Sequence, residues 1–184
     1  MVQPIVLLDR DGTINVEKNY LADPDDLELI PDSAKAIARL NHSGAWSAVV
    51  TNQSGIARGL LTEVDLKRIH ERLNAVLAEA GARLDGYYYC PHHPSDGCRC
   101  RKPEVGLLQQ AATDAECEIG QVFMVGDKEA DIAAGRSFGA TTLLVRTGYG
   151  RETDQRSEVR ADYVVDDLSA GVDLILGKLE ILSE

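Results

Sequence analysis

Residues 5–15 read Ile-Val-Leu-Leu-Asp-Arg-Asp-Gly-Thr-Ile-Asn, and the fold class is best approached from this stretch. A short run of mostly branched apolar residues ends abruptly at Asp9 and Asp11, which is typical of a buried parallel strand. Because ligands of open α/β sheets bind at the carboxyl ends of the strands, the two carboxylates are expected to lie at a site. An ordinary surface turn is the alternative interpretation, since Asp and Gly are common turn residues.

Beyond this stretch, apolar runs and helical patterns alternate along the chain. Further strands are predicted at 46–50, 86–90, 122–125 and 141–145, with an edge strand at 163–165. Helices are predicted at 34–41, 62–80, 107–115, 130–138 and 168–182, and a charged loop at 148–161. This alternation predicts an α/β fold, a doubly wound (Rossmann-like) parallel sheet with helices on both faces. The segment after the first strand is too short for a large cap domain, so residues 1–184 are expected to form a single domain.

The composition narrows the range of partners. A net charge of −11 argues against binding to nucleic acid, which needs clustered basic residues. No apolar stretch is long enough to span a membrane, and the N-terminus lacks the features of a signal peptide. We therefore expect a cytoplasmic protein without a membrane or nucleic-acid partner. A monomer is expected because no exposed apolar helix calls for a second chain.

Four of the predicted strands end in polar clusters. These are Asp9 with Asp11, Thr51 with Asn52, the residues that follow Cys90, and Asp127 with Lys128. The carboxyl ends of parallel strands meet at one edge of a sheet, and burying so many polar groups there without a purpose would be costly. The clusters therefore predict one shared site.

The residue types of these clusters predict phosphate chemistry with Mg²⁺. The carboxylates of Asp9, Asp11 and Asp127 suit this ion, which combines a few carboxylates with waters and a substrate phosphate. Lys128 supplies a point charge suited to phosphate, and the pair 51–52 supplies hydrogen-bond donors. The chain has no Gly-x-x-x-x-Gly-Lys-Ser/Thr loop, which disfavours a P-loop nucleotide hydrolase.

A second cluster predicts a zinc site. Cys90, Cys98 and Cys100 lie within eleven residues of sequence, with His92 and His93 between them. Three thiolates and one imidazole at this spacing suit tetrahedral Zn²⁺, and four protein ligands leave no open position, so the zinc would be structural. Either histidine could be the fourth ligand. Free thiols or a disulfide are the alternatives.

The segment Asp9-Arg10-Asp11-Gly12-Thr13 resembles the first motif, Asp-x-Asp-x-Thr, of the haloacid dehalogenase-like (HAD) phosphatases. Thr51, Lys102 and the pair Gly126-Asp127 fall in the right order for the other three motifs of that family. Each motif alone is weak, but the ordered set at successive strand ends is specific.

This resemblance implies roles for the motif residues. Asp9 would be the nucleophile and form an aspartyl-phosphate, and Asp11 would act as general acid and then as general base. Thr51 and Lys102 would stabilise the transferring phosphoryl group. Mg²⁺ would bind Asp9, the backbone carbonyl of Asp11, and Asp127.

The same resemblance implies a substrate-binding set and a zinc ligand set. The substrate would contact Glu17, Lys18, Asn19, Tyr20, Thr51, Asn52, Gln53, Ser54, Arg101, Lys102 and Lys128. The zinc ligands would be Cys90, His92, Cys98 and Cys100, which leaves His93 as a packing residue. Because Cys100 directly precedes the pair 101–102, we infer that zinc holds the loop that aims both cations at phosphate.

Within the family, the zinc loop resembles two branches. One acts on a heptose bisphosphate and the other on histidinol phosphate, and the stand-alone length and the Gly126-Asp127-Lys128-x-x-Asp131 sequence favour the former. A small phosphorylated sugar is thus the expected substrate. The remote alternative, a noncatalytic zinc-stabilised binding module, would make the whole ordered motif set a coincidence.

Several other residues carry weaker expectations. Asp131 is expected either to orient Lys128 or a metal-bound water, or simply to be an acid at a helix N-terminus. His70 is expected to be a surface or packing residue, and Cys117 a small buried hydrophobe. Surface solvation is the default expectation for Arg10, Lys18, Arg58 and Arg146.

Overall fold

A computed structural model of the chain describes residues 2–115 and 118–181, and its six strands form one parallel sheet. The strands are β1 (Val2–Leu8), β2 (Trp46–Asn52), β3 (Gly86–Cys90), β4 (Glu118–Gly126), β5 (Thr141–Val145) and β6 (Tyr163–Val165). Their order across the sheet is β3-β2-β1-β4-β5-β6, and every adjacent pair is parallel. The expected doubly wound α/β architecture is thereby confirmed.

Six α-helices connect and cover the strands within the described ranges. They are α1 (Ser33–His42), α2 (Glu63–Glu79), α3 (Gly106–Asp114), α4 (Glu129–Phe138), α5 (Gly150–Arg156) and α6 (Leu168–Ile181). The seven-residue helix α5 lies inside the segment predicted to be a loop, so that prediction was wrong for these residues. The charged sequence of α5 lacks the apolar stripe from which a helix is predicted. The expectation for Cys117 falls outside the described residues.

Strand β1 shows how the helices cover both faces of the sheet. Val6 and Leu8 pack into one core cluster, whose helical members come from α1, α2 and α6. Ile5 and Leu7 pack into the other cluster, together with residues of α3 and α4. All four side chains are fully buried, as expected for a central strand whose side chains alternate between two covered faces.

The helix starts differ in how they are capped. Thr62 and Asp65 form a capping box at the start of α2. Asp32 occupies the N-cap of α1, but its backbone is left-handed (φ 61°) and its side chain does not cap the helix. Its carboxylate pairs with Lys35 instead. Among the helices described, none has the length and apolar character needed to cross a membrane.

Candidate active site

Three carboxylates meet where β1 and β4 end. These strands are neighbours in register, and the backbone N–H of Asp9 continues the ladder by donating to the Val125 carbonyl at 2.8 Å. Asp127 follows β4, and Asp131 comes from the first turn of α4. One carboxylate oxygen from each of the three acids lies within 4.8 Å of the others, and all three residues are buried.

The environment of Asp127 fits a cation. Its Oδ1 is buried without a hydrogen-bond partner, whereas its Oδ2 accepts from the backbone N–H of Tyr149 at 2.8 Å. Burial, aided by the charges of Asp9 and Asp131, raises the pKa of Asp127 to about 8. A Cβ at Gly12 or Gly148 would lie 2.2 Å from Asp127 Oδ2, so both glycines are needed for the chain to approach this carboxylate.

Lys102 reaches the carboxylates from the loop between β3 and α3. Its Nζ lies 2.8 Å from Asp9 Oδ1 and 2.6 Å from Asp131 Oδ1, in a side chain that is almost fully buried. Burial alone would lower the pKa of Lys102, but the two carboxylates outweigh it and raise that pKa. The raised pKa favours the ammonium form of Lys102, which lies next to the carboxylate of Asp9, the expected nucleophile.

The structure clarifies the place of Asp131. Its Oδ2 accepts from the backbone N–H of Lys128 at 3.0 Å, as an acid in a helix capping box does. Its Oδ1 pairs with the side chain of Lys102, so it does not orient the side chain of Lys128 as was considered. A Cβ at Gly126 would lie 2.4 Å from the Asp131 side chain, which explains the glycine before Asp127.

Asn52 supports Lys102 through the backbone. The Lys102 N–H donates to Asn52 Oδ1 at 3.0 Å, and Asn52 Nδ2 donates to the Lys102 carbonyl at 2.9 Å. These two hydrogen bonds connect the cysteine loop to the end of β2. The Asn52 amide, expected to bind substrate, thus already contacts the protein on both of its polar atoms.

Arg10 is completely buried, so the expectation of surface solvation was wrong for this residue. Its guanidinium Nη2 donates to both carboxylate oxygens of Asp11, at 2.9 and 2.7 Å. Asn15 and Gln53 each donate a further bond of 2.9 Å to that carboxylate. Burial raises the pKa of Asp11, but the Arg10 charge and these bonds outweigh it, so the pKa lies below its usual value. A buried charge is stable only beside such a partner, and the Asp11 carboxylate is the partner of the buried Arg10.

His70 packs behind this ion pair. Its Nε2 lies 3.5 Å from Arg10 Nη1, and its ring stacks on Tyr87 with 4.4 Å between centroids. Burial and the neighbouring guanidinium lower the pKa of His70 to about 3, so the ring is neutral near pH 7. His70 is thus a packing residue, as one of the two expectations had it, rather than a surface residue.

Two adjoining cavities open beside the carboxylates. The smaller, of about 40 Å³, is lined by Asp9, Asp11, Thr51, Asn52, Lys102, Lys128, Ala130 and Asp131. The larger, of about 350 Å³, is lined by Asp11, Glu17, Asn19, Tyr20, Asn52, Gln53, Ser54, Arg101, Lys102, Lys128, Ala130 and Tyr149. Asp11 and Lys102 border both, so Asp11 lies at the junction between them. A groove of about 490 Å³ between α2 and β3 lies apart from the three acids.

The expected substrate-binding residues are not all placed alike. Arg101 lines the larger cavity, and its Nη1 is buried without a hydrogen-bond partner. Lys128 also lines it, but its Nζ pairs with Glu17 at 2.9 Å. The Gln53 amide donates to Asp11 and to Thr51 Oγ1. Lys18 is not among the residues that line the two cavities, and its Nζ pairs with Glu28 at 3.0 Å.

The cysteine loop brings four potential ligand atoms together. The thiols of Cys90, Cys98 and Cys100 lie 3.2 to 3.5 Å apart, and His92 Nδ1 lies 3.1 Å from Cys100 Sγ. These distances are far longer than a disulfide of about 2.05 Å. They approach the edge of about 3.8 Å that a tetrahedron with Zn–S bonds of about 2.3 Å would have.

The two neighbouring histidines are distinguished by their contacts. His92 belongs to the group of Cys90, Cys98 and Cys100, which could hold a metal ion. His93 Nδ1 instead accepts from the backbone N–H of Ser95 at 3.3 Å, at the start of the short 3-10 helix Pro94–Asp96. The group as a whole could therefore hold zinc with His92 as the fourth ligand.

Comparison with known proteins identifies the family of this chain. The profile of the HAD-hydrolase-like family matches residues 99–171. The fold and the ordered set of motif residues define a phosphatase of the haloacid dehalogenase-like class, and the chain belongs to that family.

Two curated relatives narrow the comparison. The D-glycero-beta-D-manno-heptose-1,7-bisphosphate 7-phosphatase of Pseudomonas putida is 40% identical over 167 residues, which cover 90% of this chain and 95% of the relative. The D-glycero-D-manno-heptose-1,7-bisphosphate 7-phosphatase of Thermosynechococcus vestitus is 39% identical over 189 residues, with 95% and 96% covered.

A solved structure agrees over nearly the whole chain. The D,D-heptose 1,7-bisphosphate phosphatase of B. bronchiseptica, complexed with magnesium and phosphate, superposes with a TM-score of 0.90 at 35% identity. The alignment covers 96% of this chain and 99% of that one.

Some site residues could not be recognised from the sequence. The hydrogen bonds from Arg10 and Asn15 to Asp11 could not be predicted from the sequence. An arginine between two acids is usually solvated, so Arg10 gave no indication that it is buried. Tyr149 lies in a stretch that was read only as a charged loop, yet its backbone N–H binds Asp127. For Asp131, the spacing of four residues from Asp127 was a usable signal but an ambiguous one.

Proposed function

We propose that this protein is a Mg²⁺-dependent phosphatase that removes the 7-phosphate of D-glycero-D-manno-heptose 1,7-bisphosphate. The observation that carries the proposal is the buried cluster of Asp9, Lys102, Asp127 and Asp131 beside a cavity with an unpartnered guanidinium. The names of the 37–40% identical relatives support the choice of substrate. The activity would serve the synthesis of ADP-heptose, a precursor of the lipopolysaccharide core.

The metal would be held by Asp9 and Asp127, with the backbone carbonyl of Asp11 and with Asp131 close by. The unpartnered Oδ1 of Asp127 and the crowding of three acids within 4.8 Å both fit a divalent ion. When bound, Mg²⁺ would neutralise charge on the transferring phosphoryl group. The magnesium in the B. bronchiseptica structure supports this assignment.

Asp9 acts as the nucleophile. One of its carboxylate oxygens attacks phosphorus, the bond to the sugar oxygen breaks, and an aspartyl-phosphate forms. Lys102, 2.8 Å from Asp9 Oδ1, keeps this carboxylate oriented. Water then attacks the aspartyl-phosphate and regenerates Asp9 with release of phosphate.

Asp11 moves the proton between these two steps. It gives a proton to the leaving alkoxide and takes one back from the attacking water, so the cycle is balanced. Its position where the two cavities meet suits a group that must reach the bridging oxygen. The Arg10 contact favours the ionised form, which accepts the proton of water, so forming the protonated acid that the first step needs costs free energy.

The phosphoryl group is stabilised by Thr51 and Lys102. Thr51 Oγ1 accepts from Gln53 Nε2 at 3.0 Å, so its own hydroxyl hydrogen remains available to a phosphoryl oxygen. Lys102 adds a positive charge in a nearly water-free position, where electrostatic stabilisation is strong.

The larger cavity receives the sugar and the phosphate that is kept. Arg101 is the cation best placed for that phosphate, since its buried Nη1 has no other partner. Glu17, Asn19, Tyr20 and Ser54 would contact the sugar, with Lys128 near the transferring phosphate. A structural zinc ion on the Cys90, His92, Cys98 and Cys100 group would stiffen the loop that presents Arg101 and Lys102.

The test is phosphate release by the purified protein with Mg²⁺ on both anomers of the heptose bisphosphate and on histidinol phosphate. We expect kcat/KM for one bisphosphate anomer to exceed that for histidinol phosphate by at least 100-fold, about 2.7 kcal/mol in the transition state. The reverse preference would assign the alternative substrate and keep the catalytic roles.

Asp9→Asn is the decisive variant for the chemistry. We expect phosphate release to fall at least 1,000-fold, because an amide cannot form the aspartyl-phosphate. Asp173→Asn is the matched control, since Asp173 pairs with Arg39 on the surface away from the site. Wild-type protein without phosphatase activity would instead favour the binding-module alternative.

A further inference from the structure

Tyr149 links the carboxylate at the end of β4 to the loop that follows β1. Its backbone N–H donates to Asp127 Oδ2 at 2.8 Å, and its side-chain hydroxyl donates to Asn19 Oδ1 at 3.0 Å. Asp127 follows β4, whereas Asn19 lies in the loop after β1, so Tyr149 contacts two separate segments of the chain. The proposed mechanism assigns no role to the Tyr149 hydroxyl.

The loop that it contacts has an unfavourable backbone conformation. Asn19 and Tyr20 have φ angles of 48° and 70°, and two successive left-handed residues other than glycine are costly. Such a conformation persists only where surrounding contacts hold it. Here the contacts are the Tyr149 hydroxyl on Asn19, the Glu17 carboxylate on the Asn19 N–H at 3.0 Å, and the Arg58 guanidinium 5.9 Å from the Tyr20 ring centre.

This loop forms one wall of the substrate cavity. Glu17, Asn19, Tyr20 and Tyr149 line the cavity of about 350 Å³. Glu17, Asn19 and Tyr149 also line a neighbouring open groove of about 520 Å³. The Tyr149–Asn19 hydrogen bond and the Lys128–Glu17 ion pair therefore bridge the boundary between the two spaces. Loss of the bridge would let the wall relax toward an ordinary backbone conformation.

We propose that Tyr149 is a positioning residue that sets substrate selectivity by holding Asn19 through its hydroxyl. The proposal rests on the proposed function for its substrate, but the hydrogen bond itself does not depend on it. Tyr149 is 39% exposed, so its hydroxyl contributes little to the core. The cluster of Asp9, Lys102 and Asp131 does not contact that hydroxyl, so the chemical step is left intact without it.

The first test compares two substrates in Tyr149→Phe, which removes only the hydroxyl. We expect KM for the heptose bisphosphate to rise roughly 3- to 10-fold, the range for one lost hydrogen bond, with kcat within about twofold of wild type. Hydrolysis of p-nitrophenyl phosphate, which has neither sugar nor second phosphate, should change less than about twofold. Tyr163→Phe, in the edge strand β6, is the matched control and should leave all constants unchanged.

A double-mutant cycle tests whether the effect passes through Asn19. We expect Asn19→Ala to raise KM for the bisphosphate to a similar degree, and Tyr149→Phe in that background to add less than about twofold. Independent, multiplying effects would overturn the proposal. So would an equal loss with p-nitrophenyl phosphate, because it would indicate general damage to the phosphoryl centre.

Hydrogen exchange tests the proposal even if the substrate assignment fails. In Tyr149→Phe, the amides of residues 16–22 should lose protection at least threefold, while those of 129–138 in α4 stay unchanged. Unaltered exchange at 16–22 would overturn the proposal. A wild-type protein that hydrolyses p-nitrophenyl phosphate but not the bisphosphate would contradict the proposed substrate alone, and the exchange result would still decide the role of Tyr149.

Discussion

Asp127 shows at the residue scale how a metal site is prepared in a protein. Its carboxylate is buried beside two other acids and keeps one oxygen without a partner. Such crowding destabilises the ionised form, and the stabilisation returns when a cation binds. The free energy by which the three crowded carboxylates destabilise the metal-free protein is therefore regained when a cation binds to them.

A pH dependence follows from the raised pKa of Asp127, about 8 against 3.8 for the ordinary carboxyl. Between these values the folded, metal-free protein holds a proton that the unfolded chain has lost, so its stability should fall as pH rises from about 4 to 8. Mg²⁺ competes with that proton, so its affinity should rise over the same window. Thermal unfolding with EDTA and with Mg²⁺, at pH 5 to 8.5, measures both effects.

Asp127→Asn supplies the control for this dependence. The amide cannot titrate, so the pH-linked gain from Mg²⁺ should largely disappear, and the metal-free variant should be at least as stable as wild type at pH 8. An unchanged response of the variant to Mg²⁺ across the window would contradict the assignment of Asp127 as a ligand.

At the scale of elements, the cysteine loop between β3 and α3 carries two of the site cations, Arg101 and Lys102. It leaves β3 at Cys90 and returns to β2 through the two hydrogen bonds between Asn52 and Lys102. A loop of this length would lose much orientation without a fixed point, and a metal ion on the Cys and His group would supply one.

Cys98→Ala should lower the zinc content and the phosphatase rate together. We expect less than 0.2 zinc per chain and a loss of kcat/KM of at least tenfold, since one ligand of four is gone and the 101–102 pair is no longer held. Metal analysis beside phosphate release is the measurement. His93→Gln is the control: His93 caps the 3-10 helix but lies outside the ligand group, so zinc should be retained. A zinc-free Cys98 variant with wild-type kinetics would contradict the link.

On the scale of the whole molecule, the described surface gives little basis for self-association. Its exposed large hydrophobic residues are Tyr20, Leu60, Val64, Tyr149 and Val164, and they are spread over several elements. A stable interface usually buries about 800 Å² on each partner with an apolar centre. The edge strand β6 is only three residues long, which limits pairing between sheets.

We therefore expect a monomer in solution. Sedimentation equilibrium at micromolar concentration should give the chain mass of 20.0 kDa, with and without Mg²⁺. The net charge of −11 adds mutual repulsion, so the result should persist at low salt, where that repulsion is weakly screened. A species of twice the chain mass under these conditions would disprove the expectation.

The sequence itself determined the strands, five of the six α-helices described, the two covered faces and the motif residues. Ile5 to Leu8 is apolar at every position, because a central parallel strand is buried on both sides. Asp9, Thr51 and Asp127 could be named because strand ends converge by topology, whatever the details of packing. Lys102 lies twelve residues beyond the end of β3 and could be named only from the resemblance to the motif order of the family. Local periodicity and the succession of elements along the chain depend only on residues close in sequence, so both can be predicted from the sequence.

Only the tertiary structure decided which side chains neutralise one another. Arg10 turns inward to Asp11 and His70, Asp131 reaches Lys102, and the Tyr149 hydroxyl meets Asn19 130 residues away. The contacts of Arg10 and Asp131 depend on burial, because a buried charge is tolerated only where a distant group compensates it. The exposed contact of Tyr149 instead holds a strained backbone conformation at Asn19. Such compensation is a property of three-dimensional proximity, and no local pattern in the chain encodes it.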